Sequence, residues 1–394
     1  MRQMRSVLLA GSVLALAACG SEPGSPVAPS AAPEAPVLSV GAGGQAIPGQ
    51  YIVVLKEGAD PRSVAAVAGV SPRYVYDAAL NGFAAALNAG QLNALRHNPN
   101  VEYIEQDQVA QVAVTQSSAT WGIDRIDQRS LPLSGTYNYT TTASTVRAYI
   151  IDTGLDTGHS EFEGRASNVY DAFGGNGNDC NGHGTHVGGT VSGKLYGVAK
   201  KSMPRGVRVL DCNGSGSFSA IIAGVDWVTK NHIKPAVANM SLGGGASSSL
   251  DTSVKNLSNA GVFVAVASGN SNADACNYSP ARAGYGTAIA TVNASTSTDA
   301  KASFSNWGTC TDLYAPGASI KSAWIGSGTT ETNTISGTSM ASPHVAGVGA
   351  LYKGTYGDVA SSTVHNWIIN NATTSKITSN PSGTPNRLLF KSTL

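Results

Sequence analysis

Beyond about residue 114 the chain repeats one pattern: a short, almost unbroken apolar run, a polar break, then a longer amphipathic stretch. The runs are "STVRAYIID", "GVRVLD", "AVANMSL", "GVFVAVAS" and "GTAIATVN". Apolar runs without polar alternation predict strands buried on both faces. Between them, "FSAIIAGVDWVTKNH" and "DTSVKNLSNAG" predict helices. Strands alternating with helices indicate an α/β class, a doubly wound parallel sheet covered on both faces. Ligands of such sheets bind beyond the carboxyl ends of the strands.

Residues 49–113 follow a different order. "GQYIVVLK" predicts a strand and "DPRSVAAVAG" a short helix, with Asp60 as N-cap and Pro61 at the first helical position. "RYVYDAALNGFAAAL" predicts a hairpin turning at Asn81-Gly82, "NAGQLNALRHN" a helix and "VEYIEQDQVAQV" a last strand. The order β-α-β-β-α-β is a small α+β, ferredoxin-like arrangement. Residues 20–48, rich in Pro, Ala, Ser and Gly, predict a tether. Residues 1–19 carry Arg2 and Arg5 ahead of an apolar run, the pattern of an export signal. That run is too short to span a bilayer comfortably. Its end, "LAAC", resembles a bacterial lipobox with Cys19 as the lipidated residue; ordinary cleavage after a small residue fits the same letters.

Charged residues are only 12% of the chain and the net charge is +1, so no strong field argues for nucleic acid. With 46 glycines and 42% apolar residues, the composition is that of a compact exported protein with many tight turns. Setting Cys19 aside leaves Cys180, Cys212, Cys276 and Cys310, an even number that predicts two disulfides; three pairings are open.

Three residues carry candidate chemistry. Asp152 closes the strand "AYIID", at the sheet's functional edge. His183 lies in "DCNGHGTHVGGT", where glycines allow close backbone approach. Cys180, His183 and His186 do not have zinc spacing and lack a fourth ligand. His186 reads as a packed side chain of the following helix. Ser339 lies in "SGTSMASPH", at the start of a small-residue helix running to about Tyr352, where N–H groups and the helix dipole favour negative charge. Ser336 and Ser342 read as cap and turn residues. A serine hydroxyl needs a neutral imidazole to take its proton, and the imidazole needs a buried carboxylate to fix its tautomer. The order Asp152, His183, Ser339 is that of subtilisin, not of an α/β-hydrolase, whose G-x-S-x-G is broken here by Ala341.

"YIIDTGLD", "NGHGTHVGGT" and "GTSMASPHVAG" together resemble the three motifs of the subtilases. Residues 114–394 resemble the proteinase K branch, aqualysin-like enzymes in particular, and 49–113 resembles the subtilase inhibitor propeptide. The resemblance implies a subtilisin-like peptidase domain with Ser339 as nucleophile, Asn270 in "AVASGNSN" as oxyanion donor, and an acyl-enzyme mechanism. It implies a substrate-lining strand through Ser241, Leu242 and Gly243, facing Ala267, Ser268 and Gly269. Such glycine-rich walls suit broad specificity with an apolar or aromatic preference. It implies the pairs Cys180–Cys212 and Cys276–Cys310, and self-cleavage near Ala113–Val114.

Calcium is the implied structural cofactor. Asp124, Asp127 and Gln128, at i, i+3 and i+4, present three oxygen-bearing side chains on one helical face, with Ser134 in a nearby turn. On spacing alone the same stretch reads as a solvated, charge-balanced helix. Asp312 matches a second site of the branch, completed by backbone carbonyls near Thr287 and Ile289. The expected protein is a secreted, monomeric serine endopeptidase acting on protein and peptide substrates, with its own propeptide as intramolecular inhibitor. An inactive binding homologue and an esterase are the competing readings.

Overall fold

A computed structural model describes residues 34–40, 46–108 and 114–394. The expected export signal, Cys19, the first part of the tether and Ala113 at the expected cut lie outside the described residues. The chain divides into two compact units, one ending at Val109 and the other running from Ala110 to Leu394.

The first unit contains β1 (Val37–Leu38), β2 (Ala46–Leu55), α1 (Pro61–Val67), β3 (Tyr74–Tyr76), β4 (Gly82–Ala86), α2 (Ala89–Arg96) and β5 (Val101–Gln108). The sheet order is β1-β5-β2-β4-β3, so the predicted β-α-β-β-α-β core is present. Asp60 caps α1 by accepting from the N–H groups of Arg62 and Ser63, and Asn88 forms a capping box with Gln91 on α2.

Two details differ from expectation. Part of the tether is sheet: Val37 and Leu38 pair in parallel with Ile104 and Glu105, and Ala35 is buried beside them. The hairpin does not turn tightly at Asn81-Gly82, because β3 ends at Tyr76 and Asp77–Asn81 form the loop. Gly82 is the first residue of β4, and a Cβ there would lie 2.1 Å from the Val53 carbonyl oxygen. The glycine serves close strand approach. Asn81 instead staples the loop, donating to the carbonyls of Lys56 and Ala59.

The second unit opens with β6 (Val114–Ser117), α3 (Trp121–Ile126) and β7 (Thr136–Tyr139). Next come β8 (Arg147–Asp152), β9 (Ser167–Asp171), α4 (His183–Ser192), β10 (Met203–Arg208), α5 (Phe218–Asn231) and β11 (Ala236–Met240). Then follow β12 (Gly244–Gly245), α6 (Ser248–Asn259), β13 (Phe263–Ala267), β14 (Tyr278–Ser279), β15 (Ala290–Ser295) and β16 (Leu313–Pro316). The chain ends with β17 (Ile320–Ala323), β18 (Thr332–Ile335), α7 (Thr338–Tyr356), α8 (Ser361–Asn371), β19 (Thr373–Thr374) and β20 (Arg387–Leu388). Nine strands form one sheet in the order β19-β20-β16-β15-β13-β11-β8-β10-β9, parallel except for the β19–β20 pair.

The apolar runs are explained by burial on both faces. Ala148 and Ile150 of β8 join the core that holds Val187 of α4 and Val345 of α7, while Tyr149 and Ile151 join the core under α5 and α6. Phe263 and Val264 of β13 divide in the same way. Helix α6 starts three residues earlier than its apolar pattern, because Ser247 caps it by accepting from Leu250 N.

Helix α3 is buried from Gly122 to Ile126, so it is not a solvated helix. Its Arg125 has no exposed side-chain surface and grips Asp299 through Nε (2.6 Å) and Nη2 (2.9 Å), while Nη1 donates to the Gln128 carbonyl. Removing one partner of a buried, bidentate pair strands the other charge. Asp299→Ala is therefore expected to destabilise the second unit by about 3–5 kcal/mol. Urea denaturation of a Ser339→Ala background, which suppresses self-digestion, measures it.

Candidate active site

Asp152 ends β8, an interior strand paired on both sides by β11 and β10, with no exposed side-chain surface. Its Oδ1 accepts from Thr153 N at 2.8 Å and meets His183 Nδ1 at 2.7 Å. A carboxylate at that distance assigns the proton of the neutral imidazole to Nδ1 and leaves Nε2 as an acceptor. His183 is the first residue of α4, entered through Gly182 in the left-handed region (φ +104°). Burial is the largest single influence on the imidazole and disfavours its charged form. The charge of Asp152, the hydrogen bond to it and the charge of Asp179 together prevail, and raise the pKa above the ordinary 6.5. His186, one turn on, is fully buried, with Nε2 3.0 Å from the Ile320 carbonyl, and desolvation pulls its pKa down to about 4. It is a packed, neutral side chain.

Ser339 is the second residue of α7, a position whose N–H has no intrahelical acceptor. Its Oγ donates to the Ser241 carbonyl at 3.3 Å rather than to His183. Catalytic hydrogen bonds are commonly loose before substrate arrives. Pro343 lies inside α7 and has no N–H to give the Ser339 carbonyl four residues back. That freed carbonyl accepts from Ser241 Oγ at 2.7 Å, which ties the start of the helix to the strand-end loop. Ser336 Oγ accepts from Ser319 N, and Ser342 Oγ donates to Asn239 inside the core; both are structural.

Asn270 Oδ1 accepts from Thr338 N and Thr338 Oγ1, each at 2.8 Å, which turns the amide NH2 the other way. A Cβ built on Gly337 would lie 3.5 Å from Asn270 Nδ2 and 3.6 Å from Ser339 N, so the two donors share one neighbourhood. Gly269, just before Asn270, has φ +106°, and a Cβ there would collide with Asn306 Nδ2 at 2.3 Å. Only glycine serves at that turn.

Two cavities flank these groups. One, of about 190 Å³, has Leu242, Gly243, Ala267, Ser268, Gly269, Asn270 and Ser339 in its lining, along with Tyr278, Ala281 and Thr338. The other, of about 440 Å³, holds His183, Ser241, Leu210, Phe218, Ile221 and the polar segment Asn213–Gly216. Sequence reasoning missed Tyr278, Ala281 and Phe218. Tyr278 stands in the two-residue strand β14, Ala281 at the start of a short 3-10 turn and Phe218 at the start of α5, with no motif of their own.

The cysteines form Cys180–Cys212 and Cys276–Cys310, with Cα separations of 4.9 and 5.2 Å. They close separations of 32 and 34 residues, and by chain entropy each contributes roughly 3–4 kcal/mol. The first anchors the loop that leads into His183.

The expected calcium ligands fit a cation unevenly. Oxygens of Asp124, Gln128, Ser134 and Thr136 converge. Ser134 Oγ lies 3.0 Å from Asp124 Oδ1 and 2.8 Å from Thr136 Oγ1, and Ser134 N lies 3.1 Å from Gln128 Oε1. Such a set of hard, mostly neutral oxygens suits calcium. Asp127 does not join it. Its Oδ2 accepts from Asn138 N and Nδ2, and its Oδ1 faces the buried ammonium of Lys391 at 3.1 Å. Asp312 accepts from Thr291 N at 2.7 Å, and its other oxygen lies 3.5 Å from His365 Nε2. Among the described residues no cluster of three His, Cys, Asp or Glu side chains is placed to hold a metal.

Comparison with known proteins agrees with this geometry. Residues 145–388 match the Subtilase family (Peptidase S8), and residues 50–113 match Peptidase inhibitor I9. An extracellular serine proteinase of Thermus sp. (strain Rt41A) is 52% identical over 96% of this chain and 97% of its own length. Proteinase R of Parengyodontium album is 43% identical over 90% of this chain and 92% of its own. A crystal structure of a cold-adapted subtilisin-like serine proteinase superposes with a TM-score of 0.67 at 50% identity, covering 70% of this chain and 99% of that one. The family match spans more than half of the sequence, over the residues that carry Asp152, His183, Asn270 and Ser339, and the chain belongs to the subtilase family: it is a serine peptidase with an inhibitor I9 segment ahead of its peptidase domain.

Proposed function

We propose that the chain is a secreted endopeptidase that cleaves peptide bonds through an Asp152-His183-Ser339 triad and an acyl-enzyme, and that it frees itself from its propeptide. The observation that carries this reading is the 2.7 Å contact between the buried Asp152 and His183 Nδ1, which leaves Nε2 basic beside the cleft. Nε2 takes the Ser339 hydroxyl proton as Oγ attacks the scissile carbonyl carbon. The carbonyl oxygen becomes an oxyanion, and Asn270 Nδ2 and Ser339 N–H are its donors. Collapse expels the amine, which leaves with the proton held by His183. Water then repeats the sequence on the acyl-enzyme. The Leu242–Gly243 and Ala267–Gly269 walls carry no charge, which supports a broad specificity with an apolar or aromatic preference. Secretion is supported by a relative named extracellular, and the inhibitor segment supports a self-inhibited precursor; the enzyme is proposed to act as a monomer.

Ser339→Ala is expected to lose fluorophosphonate labelling and casein cleavage, with kcat falling on the order of 10⁶-fold. The same variant, made in a protease-free host, is expected to accumulate with residues 49–113 still attached. Normal processing would show that another protease removes them. An ester-only activity in the wild type would favour the esterase reading.

The imidazole works only when neutral. Its pKa is raised, so activity is present above that value and is lost as pH falls through it. The acid half-point of kcat/KM is therefore expected above 6.5, as read from a pH–rate profile. A half-point near 5 would indicate carboxylate chemistry.

We also propose one structural calcium held by Asp124, Gln128, Ser134 and Thr136, with no part in bond cleavage. A cation that binds only the folded state stabilises it by about 2.7 kcal/mol at a hundredfold excess over its dissociation constant. EDTA is expected to lower the thermal midpoint of the Ser339→Ala protein. Asp124→Ala is expected to remove most of that sensitivity, and Asp312→Ala to leave it intact.

A further inference from the structure

We infer that Asp179 is a positioning residue for the proposed triad, its one carboxylate locking the loop that delivers His183 onto the strand end that delivers Asp152. The inference rests on the triad reading above. Asp179 stands four residues before His183, in the turn that leads into α4. Its Oδ1 accepts from Asn181 N (3.0 Å), Gly182 N (2.9 Å) and Thr153 Oγ1 (2.9 Å). Its Oδ2 accepts from Thr185 N (2.9 Å) and Thr185 Oγ1 (2.6 Å). Five donors converge on two oxygens, and none of those contacts reverses the direction of donation. An ionised carboxylate satisfies such a set. An amide of the same shape would turn an NH2 against donors on one side.

The partners divide by element. Asn181, Gly182 and Thr185 flank His183 in the chain, whereas Thr153 is the neighbour of Asp152. Thr153 closes the bridge in both directions, since its Oγ1 also accepts from Gly184 N at 2.8 Å. Thr185 Oγ1 in turn accepts from Asp156 N, beyond the end of β8. Gly184 packs so closely that a Cβ on it would meet the Gly154 carbonyl oxygen at 2.2 Å and Thr153 Oγ1 at 3.0 Å. The helix start and strand end therefore touch backbone to backbone, and Asp179 ties both. The 2.7 Å Asp152–His183 contact is short because two separately delivered loops are fixed to one carboxylate.

Asp179 also acts through space. The charges that bear on His183 are Asp152 and Asp179, both favouring the imidazolium, with the neutral His186 on the same helix. Position and charge are separable by two substitutions. Asp179→Asn removes the charge and mismatches the donors. Thr153→Val cuts the link to the strand end and keeps the charge.

The test uses purified, self-matured enzyme, with fluorophosphonate titration to count working sites and a peptide substrate for pH–rate profiles. Asp179→Asn is expected to lower kcat about 10- to 100-fold with KM changed less than threefold, the range for misplaced catalytic groups, and to move the acid half-point of kcat/KM to lower pH. Thr153→Val is expected to lower kcat with the half-point unmoved. If Asp179→Asn cannot be recovered folded, the Thr153→Val result decides the positioning claim alone: an unchanged kcat overturns it. Wild-type kcat in both variants, or a loss confined to KM, overturns it equally, and a stability role alone would lower yield without moving the half-point. A wild-type chain that fails to label would instead overturn the triad reading, so the two failures are distinguishable.

Discussion

A carboxylate with no exposed surface at the end of an interior strand is the constraint on which the site is built. Asp152 has lost its water, and its Oδ1 is held instead by the Thr153 N–H and His183 Nδ1–H. Burial keeps the carboxylate stiff and its field unscreened. It also demands that His183 arrive at the right place, and His183 comes from a different element. The helix that starts at His183 packs against α7 and β8, the apolar residues Val187 and Val191 reach the core, and the glycine-rich loop ahead of it lets the backbone come close. The fold is thus organised so that chain segments far apart in sequence meet at one edge of the sheet.

The same edge gathers the rest of the site. Strand β13 leads to the Gly269-Asn270 turn, β11 leads to Ser241–Gly243, and α7 carries Ser339 in its first turn there. Beyond the strand ends, loops, helix N-termini and side-chain amides occupy the space. Neutral walls follow, because the backbone supplies most of the polar surface.

Much of this was legible in the sequence, and the reason is local. Unbroken apolar runs mark doubly covered strands. Asp60-Pro61 and Asn88 mark helix starts through contacts two or three residues away. Asp152, His183, Asn270 and Ser339 stand in motifs whose small neighbours are there to allow close approach. What stayed hidden depends on partners distant in the chain. Asp127 read as a cation ligand because its stretch resembles a calcium site of the aqualysin-like enzymes, yet its partner is Lys391 at the other end of the unit. Val37 and Leu38 read as tether because two residues carry no periodicity, and their pairing with β5 is a property of the sheet edge. Tyr278, Ala281 and Phe218 line cavities from segments with no signature. Gly82 was assigned to a turn because Asn-Gly usually turns, whereas the tight approach of Val53 decides its place.

Pro343 has a further consequence. By withholding one rung of the α7 ladder it leaves the Ser339 carbonyl to accept from Ser241 Oγ, so the first turn is tied to the strand-end loop as well as to its own helix. Asn270 and Gly317 hold the approach to that turn, and Met340 and Ala341 seat it in the core. A helix rung is thus exchanged for a cross-link between two segments of the site, and the reactive turn is braced from outside the helix rather than along it.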